Sequence, residues 1–346
     1  MIGDYNTDNK CLLINLLKNA KLYIIKYRSN SQNINKVINY LNSVIFMSYK
    51  YVAKYEISHK KLSLLSDCRI AGIKDKSISF FDPNNKYNND LTIEDNTSNI
   101  DSYCVLDNGN IVTASMGKVI KLYSITKNSY QCLFTMNFPL DCYFSLIAIS
   151  GNKVCVGIEE GIMIYDFNAA PYSSSPVKEL KREEGKSNYE LNMFYIKEKN
   201  YLIRKNYYKE THVFDLNTYK HVPSLEKCFD GLTYEAFRMI YQIDGKKIFV
   251  GFEGLLVIID FINCTVDSKI DFKGNYAPIS VLSRNDCQTL LVVTYDRCLF
   301  EVDLFTKTTH CLAKGLGDVD FKAGTLLGVD EDTFVYGDQD LKVYLY

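Results

Sequence analysis

Residues 248–260 read IFVGFEGLLVIID and contain the unit from which the fold can be predicted. A first apolar run is followed by Glu253-Gly254, and a second apolar run then ends in Asp260. Short runs of β-branched and aromatic residues on either side of a glycine-containing turn are typical of a β-hairpin. The segment therefore predicts two antiparallel strands joined by a tight turn.

The same unit recurs along the rest of the chain. The other copies are RIAGIKDKSISFFD (69–82), IVTASMGKVIKLYS (111–124), VCVGIEEGIMIYD (154–166), LIRKNYYKETHVFD (202–215), LLVVTYDRCLFEVD (290–303) and FVYGDQDLKVYLY (334–346). Successive copies begin 42 to 48 residues apart. This period leaves room for four short strands and their turns, and it is too short for a βαβ unit with a full helix. The chain is therefore predicted to be all-β.

Further strands and turns are predicted between these hairpins. The strands are SYCVL (102–106), YQCLFTM (130–136), SLIAIS (145–150), NMFYIK (192–197), TVDSKIDF (265–272) and PISVLS (278–283). Turn residues stand where one strand must reverse into the next, at 107–110, 150–152 and 244–245. Each repeat thus has the content of a four-stranded propeller blade.

This pattern resembles the WD40-repeat family of β-propellers over residues 57–346. The resemblance implies seven four-stranded blades, with eight as the alternative. It also implies a structural role in turns and backbone hydrogen bonds for the recurring aspartates at the end of each hairpin. The chain departs from the family because it has no tryptophan, so Phe-Asp, Tyr-Asp, Ile-Asp and Val-Asp replace the Trp-Asp pair. A Gly-His dipeptide ahead of the strands is also missing.

The two ends of the chain predict how the ring closes. The last copy ends at Tyr346 after its third strand, so the fourth strand has to come from elsewhere, and YVAKYEIS (51–58) has the same format. We therefore expect a propeller over 51–346, closed by an N-terminal strand, and an N-terminal extension or partial blade over 1–50. Residues 8–47 fit two interpretations, an amphipathic helical pair or further strands of an incomplete eighth blade.

Composition and charge disfavour several classes of protein. Lysine and arginine total 40 against 41 aspartates and glutamates, whereas nucleic-acid binders usually carry a basic excess. Apolar runs are too short to cross a membrane, and the N-terminus lacks the pattern of a secretory signal. The 11 cysteines are odd in number and spread apart, and Cys104, Cys155, Cys264 and Cys298 are predicted to be buried, reduced thiols. These features predict a cytoplasmic or nuclear protein without a membrane span.

No catalytic, cofactor or metal motif stands out in the sequence. GxxxxGK[ST], GxGxxG, GxSxG and HExxH are absent. The four histidines do not pair with cysteines at zinc spacing. We therefore expect no enzyme activity, no cofactor and no metal, and a scaffold or adaptor that binds other proteins or peptides. One alternative is an enzyme or small-ligand site in the central channel. Phosphoinositide binding has less support, because some propellers bind these lipids through a pair of adjacent arginines and no two arginines are adjacent here.

Partner-binding residues are predicted on the hairpin turns, which the family resemblance places on one rim of the central channel. The fourth copy has Arg-Lys where the others carry small or apolar residues, and its turn is rich in tyrosine. Tyrosine and arginine are favoured interface anchors. The predicted partner-binding residues are Arg204, Lys205, Tyr207, Tyr208, Tyr295 and Arg297. The serine-rich segment 169–187 is the alternative binding surface.

Overall fold

A computed structural model gives the fold of the chain. It describes residues 50–55, 60–94, 98–115, 118–138, 145–158, 161–181, 192–205, 211–230, 239–252, 254–271, 278–283, 288–294, 296, 298–314, 325–328, 333–337 and 341–345. The chain divides into a small unit, Met1–Tyr51 with Leu345–Tyr346, and a large unit, Val52–Tyr344. The predicted alternatives for residues 8–47 lie outside the described residues, and so do residues 1–49 of the extension or partial blade predicted over 1–50.

Six blades of four consecutive antiparallel strands are described, and the protein is an all-β propeller. Blade 1 comprises β2 (Lys60–Leu64), β3 (Ile70–Lys74), β4 (Ser77–Asp82) and β5 (Asn88–Glu94). Blade 2 comprises β6 (Ile100–Val105), β7 (Ile111–Ser115), β8 (Val119–Ile125) and β9 (Tyr130–Asn137). Blade 3 comprises β10 (Ser145–Ile149), β11 (Lys153–Ile158), β12 (Gly161–Asp166) and β13 (Lys178–Lys181).

The next three blades follow the same plan. Blade 4 comprises β14 (Asn192–Ile196), β15 (Tyr201–Lys205), β16 (Thr211–Asp215) and β17 (Lys220–His221), followed by the helical turn α1 (Pro223–Glu226). Blade 5 comprises β18 (Met239–Gln242), β19 (Lys247–Phe252), β20 (Leu255–Asp260) and β21 (Thr265–Asp271). Blade 6 comprises β22 (Pro278–Ser283), β23 (Thr289–Thr294), β24 (Cys298–Asp303) and β25 (Thr308–Lys314).

A further four-stranded sheet joins the two ends of the chain sequence. Its strands are β1 (Lys50–Tyr55), β26 (Thr325–Gly328), β27 (Thr333–Gly337) and β28 (Leu341–Leu345). The order in this sheet is β1-β28-β27-β26, so the N-terminal strand lies beside the last strand. We call it the terminal sheet.

Every hairpin predicted from the repeat is present as the second and third strands of a sheet. The hairpin predicted over 248–260 forms β19 and β20, which pair from Lys247 opposite Asp260 to Phe252 opposite Leu255. The additional predicted strands form β6, β9, β10, β14, β21 and β22. These predictions are confirmed because alternation and turn chemistry act locally, within the segment that folds.

The core lies between neighbouring blades. Blade 1 packs on blade 2 through fully buried side chains that include Ile78, Phe80, Tyr103 and Ile111. The Tyr103 hydroxyl donates to the Ala71 carbonyl oxygen at 2.9 Å, which joins the two blades. Burying this apolar surface is the main favourable term in folding, and it requires each blade to have a neighbour.

The first strands of successive blades also bond to one another. The backbone N–H of Leu146 in blade 3 donates to the Ser102 hydroxyl in blade 2 at 3.4 Å. The N–H of Leu326 in the terminal sheet donates to the Ser280 hydroxyl in blade 6 at 2.7 Å. The first strands of successive blades are in contact from β6 through β10, β14 and β18 to β22, which places these strands nearest the centre.

The cysteines are free thiols among the described residues. Cys104, Cys155 and Cys298 are buried, as predicted. Burial raises the pKa of Cys104 and of Cys155 to about 12, so both remain protonated near neutral pH. Cys264 is also a free thiol, but the prediction that it is buried was wrong, because it lies at the end of the turn before β21 and stays partly accessible.

Gly161 allows β12 to approach β13 closely. A Cβ atom at this position would lie 2.4 Å from the Leu180 carbonyl oxygen, and this oxygen belongs to the backbone of the paired strand. We expect Gly161→Ala to lower the free energy of unfolding by about 1–3 kcal/mol, measured by urea denaturation. Gly245→Ala is the control, since its Cβ would only touch Glu198 Cγ at 3.9 Å. Equal losses in the two variants would contradict this explanation.

Candidate partner-binding face and histidine–carboxylate cluster

An aspartate ends the third strand of five blades and is held there by its own turn. The backbone N–H two residues further on donates to its Oδ1 atom at 2.8–2.9 Å. The five aspartates are Asp82, Asp166, Asp215, Asp260 and Asp303. A carboxylate that bonds the backbone two residues on forms an Asx turn. The structural role predicted for these aspartates is confirmed.

Backbone hydrogen bonds connect this turn to the turn between the first and second strands of the same blade. The N–H donors are Phe167, Leu216, Phe261 and Leu304, and the carbonyl acceptors are Asn152, Asn200, Lys246 and Gln288, at 2.8–3.0 Å. Because antiparallel strands reverse at each turn, both turns lie at one end of every blade. We call this end the turn face. The hairpins between the second and third strands end at the opposite face.

Large apolar side chains are exposed at the turn face. Among the described residues, the exposed large hydrophobic side chains are Leu64, Tyr130, Val177, Ile262, Val266 and Phe305. Each of them lies in one of the two kinds of turn just described or within two residues of it. Phe305 is 85% exposed, the highest value in this set. The exposed large apolar side chains of the described residues therefore lie on one face of the blades.

Ile262 and Phe305 occupy the same position of the Asx turn in two neighbouring blades. Blades 3 and 4 carry asparagine there, and these side chains bond across to the first turn, Asn152 to Asn168 at 3.1 Å and Asn200 to Asn217 at 2.8 Å. Blades 5 and 6 instead present Ile262, 41% exposed, and Phe305. Blades 5 and 6 therefore have the same Asx turn, but an exposed apolar side chain replaces the asparagine that is hydrogen-bonded to the first turn in blades 3 and 4.

Near Ile262 and Phe305, the Asp260 carboxylate is hydrogen-bonded within its own turn, whereas two lysines are exposed. Backbone N–H donation from Asn263, together with its side chain and the Ile262 N–H, holds the pKa of Asp260 below its usual range. This carboxylate is thus occupied within its own turn. Lys246 and Lys307 are exposed in the turns of blades 5 and 6. The surface offers apolar area and lysine ammonium groups, which suits a partner with apolar and acidic side chains.

Two of the residues predicted to bind partners lie toward the other face. Arg204 and Lys205 end β15, and these residues are only 4% and 5% exposed. Tyr207, Tyr208, Tyr295 and Arg297 lie outside the described residues. The structure brings Arg204 next to His212 on β16 and Lys205 next to Thr211. The role of these six residues in binding stays a prediction.

A cluster of metal-ligand side chains, which the sequence analysis missed, lies on blade 4. It consists of His212, His221 and Glu226, with one ligand atom of each lying within 4.8 Å of the others. Glu226 Oε1 lies 2.9 Å from His221 Nδ1 and 3.9 Å from His212 Nδ1. The two imidazole rings meet edge to face, with centroids 5.4 Å apart. We call these three residues the His–Glu cluster.

The fold of blade 4 accounts for this cluster. His221 on β17 stands directly opposite Phe214 on β16, and His212 lies two residues before Phe214. Side chains that alternate along a strand and pair across strands share one face, so the two histidines meet. Pro223 then begins α1, and Glu226 returns to accept the Val213 N–H at 2.8 Å. The spacing 212, 221 and 226 matches no local metal motif, so the signal appears only after folding.

The described part of the chain has no helix long and apolar enough to cross a membrane. Comparison of the chain with models of protein families and with curated proteins gave no match. The structure therefore classifies this protein by its fold, as a propeller of four-stranded antiparallel blades.

Proposed function

We propose that this protein is a non-catalytic scaffold that binds a partner protein on the turn face of blades 5 and 6. The observation that carries the proposal is the exposure of Ile262 and Phe305 at the position where blades 3 and 4 have hydrogen-bonded asparagines. An exposed phenylalanine on a rigid turn gives no benefit to folding. Its burial by a partner contributes about 1.5–3 kcal/mol to binding.

The turns that carry these side chains are already ordered. Asp303 Oδ1 accepts the N–H groups of Phe305 and Thr306, both at 2.8 Å. Asp260 Oδ1 accepts those of Ile262 and Asn263, both at 2.9 Å. A preformed turn loses little conformational entropy when a partner docks, so more of the contact energy appears as affinity. The lysines beside the turns favour an acidic partner surface.

The test uses the substitutions Ile262→Asn and Phe305→Asn together. Asparagine is the residue that the Asx turn already accepts in blades 3 and 4, so the fold should be retained. The tagged chain is purified from its native cells, and the partner recovered in stoichiometric amount is identified and titrated. We expect the double variant to bind that partner at least tenfold more weakly, since removal of central apolar anchors commonly costs more than about 1 kcal/mol.

The matched control is Lys76→Asn, which places asparagine in the exposed hairpin turn of blade 1 on the opposite face. We expect this control to bind the partner as the unmodified chain does. Equal binding by the double variant and the control would refute the turn face as the docking surface. Weaker binding by the control alone would instead favour the hairpin face, where Arg204 and its neighbours were predicted to act.

We further propose that the ring has seven blades, with the terminal sheet as the seventh, in the manner of WD40-like propellers. Two observations support this proposal. The sheet order β1-β28-β27-β26 supplies an N-terminal strand as the fourth strand. In addition, β26 contacts both β22 of blade 6 and β2 of blade 1. A sheet that lies between the first and sixth blades removes the open edges that would otherwise invite aggregation.

A further inference from the structure

We propose that His212, His221 and Glu226 bind one divalent transition-metal ion of the zinc class. This proposal is independent of the scaffold function, because it rests on blade 4 and uses none of the residues of the turn-face surface. The three side chains are two imidazoles and a carboxylate, which are the ligand types that zinc accepts in sites with three protein ligands.

The spacing of the ligand atoms fits an ion of this size after small side-chain rotations. Bonds of about 2.0–2.2 Å from zinc to nitrogen and oxygen put tetrahedral ligand atoms roughly 3.3–3.5 Å apart. In the structure, Glu226 Oε1 lies 2.9 Å from His221 Nδ1 and 3.9 Å from His212 Nδ1. These two distances bracket the ideal value, and the ligand atoms of all three residues lie within 4.8 Å of one another. The ion would replace the hydrogen bond that now joins His221 to Glu226.

The carboxylate is fixed in position by the backbone. Because β17 is only two residues long, its pairing with β16 stops at His221, and the Val213 N–H donates to Glu226 instead. Leu225 in α1 is fully buried, and Cys228 and Phe229, which follow it, are also buried. This packing anchors the helical turn that carries Glu226. A ligand held in this way loses little freedom when the ion binds.

The cluster is reachable from solvent. The side chains of His212, His221 and Glu226 are 26%, 44% and 22% exposed. An ion held by three protein ligands keeps at least one position for water or for a ligand from another molecule. The site is therefore of the open kind, in contrast to the closed four-ligand sites that only stabilise a fold.

The test measures binding of Co²⁺ and Zn²⁺ to the full, untagged chain, since a polyhistidine tag would bind both ions. Titration with Co²⁺ followed by visible absorption reports imidazole coordination directly, and Zn²⁺ should displace the Co²⁺ signal. We expect saturation at one ion per chain and a rise of the melting temperature with Zn²⁺, because an ion that binds only the folded state stabilises it.

The variants are His221→Ala, which changes the most exposed ligand, and His212→Ala. We expect each to weaken Co²⁺ binding at least tenfold and to abolish the rise in melting temperature. His310→Ala, in β25 of blade 6, removes a histidine outside the cluster and should leave both readouts unchanged. Absence of a Co²⁺ spectrum in the unmodified chain, or equal binding by all three variants, would overturn the proposal and leave the cluster as a His221–Glu226 hydrogen bond beside the His212 ring.

Discussion

Replacement of Arg69 by alanine is expected to lower the free energy of unfolding by about 2–4 kcal/mol. Arg69 follows the first turn of blade 1, and only 5% of its surface is exposed. Its guanidinium donates to the carbonyl oxygens of Thr126 and Lys127 in blade 2, both at 3.1 Å. Hydrogen bonds from a charged group contribute about 1.5–3 kcal/mol. The side chain also covers the Phe80 ring, at 5.4 Å from the centroid.

Asp67 completes this connection between the two blades. The Arg69 Nε atom donates to Asp67 Oδ2 at 2.8 Å. Burial alone would raise the pKa of Asp67, but the hydrogen bonds and charge of Arg69 outweigh it and hold the pKa below its usual value. The carboxylate therefore stabilises the fold above the unfolded pKa of about 3.9, and this contribution is lost as the pH falls through the lower, folded pKa.

Urea unfolding of Arg69→Ala at pH 7 and at pH 3 measures both effects. The loss of stability should be smaller at pH 3, because this pH lies below the unfolded pKa of about 3.9 and the stabilising contribution of the ionised Asp67 carboxylate is already reduced there. Lys127→Ala is the control at pH 7, since it removes an exposed cation but keeps the carbonyl that Arg69 contacts, and it should change stability by less than about 0.5 kcal/mol. A loss in Arg69→Ala no larger than in this control would show that the hydrogen bonds between blades 1 and 2 do not stabilise the propeller.

Substitution of both Val52 and Ala53 by proline is expected to disrupt the terminal sheet. Both residues lie in β1, which pairs with β28 at the end of the sheet order. Alternate N–H groups of a strand face its neighbour, so consecutive prolines remove at least one such donor whichever register holds. We expect a loss of roughly 2–4 kcal/mol in the free energy of unfolding, and aggregation through the uncovered edge of β28.

The control for this prediction is the pair Val52→Thr and Ala53→Ser, which retains both N–H groups. Urea unfolding gives the midpoint for each chain, and light scattering after incubation reports aggregation. If the proline variant unfolds at the same urea concentration as the control and stays monomeric, β1 is dispensable. The proposal that an N-terminal strand closes a seventh blade would then fail.

The interface between neighbouring blades explains why these effects should be large. Tyr103, Ser102 and Arg69 all bond across from one blade to the next. A single four-stranded sheet cannot bury both of its faces, so blades stabilise one another as structural repeats do. Loss of the contacts between two blades, or opening of the terminal sheet, is therefore expected to affect the cooperative unfolding of the whole propeller and not of one blade alone.

Much of the local structure follows from the sequence by itself. The alternation of residues such as those in 248–260 predicts strands because every second side chain of a half-buried strand points to the core. The repeated aspartates predict turns, because a carboxylate two residues before a backbone N–H can accept its hydrogen bond. Recurrence of this unit at a nearly constant spacing predicts blades. All of these are properties of segments a few residues long.

The candidate sites were decided only by the tertiary structure. His212, His221 and Glu226 meet because β17 stops after two residues and α1 turns back over β16, and no spacing in the sequence encodes that path. Ile262 and Phe305 are apolar like core residues, and only the turn face leaves them exposed. Arginine is a residue type favoured at interfaces, yet only 4% of Arg204 is exposed. Exposure and proximity depend on packing between segments distant in sequence, whereas strand and turn propensity depend on neighbours along the chain.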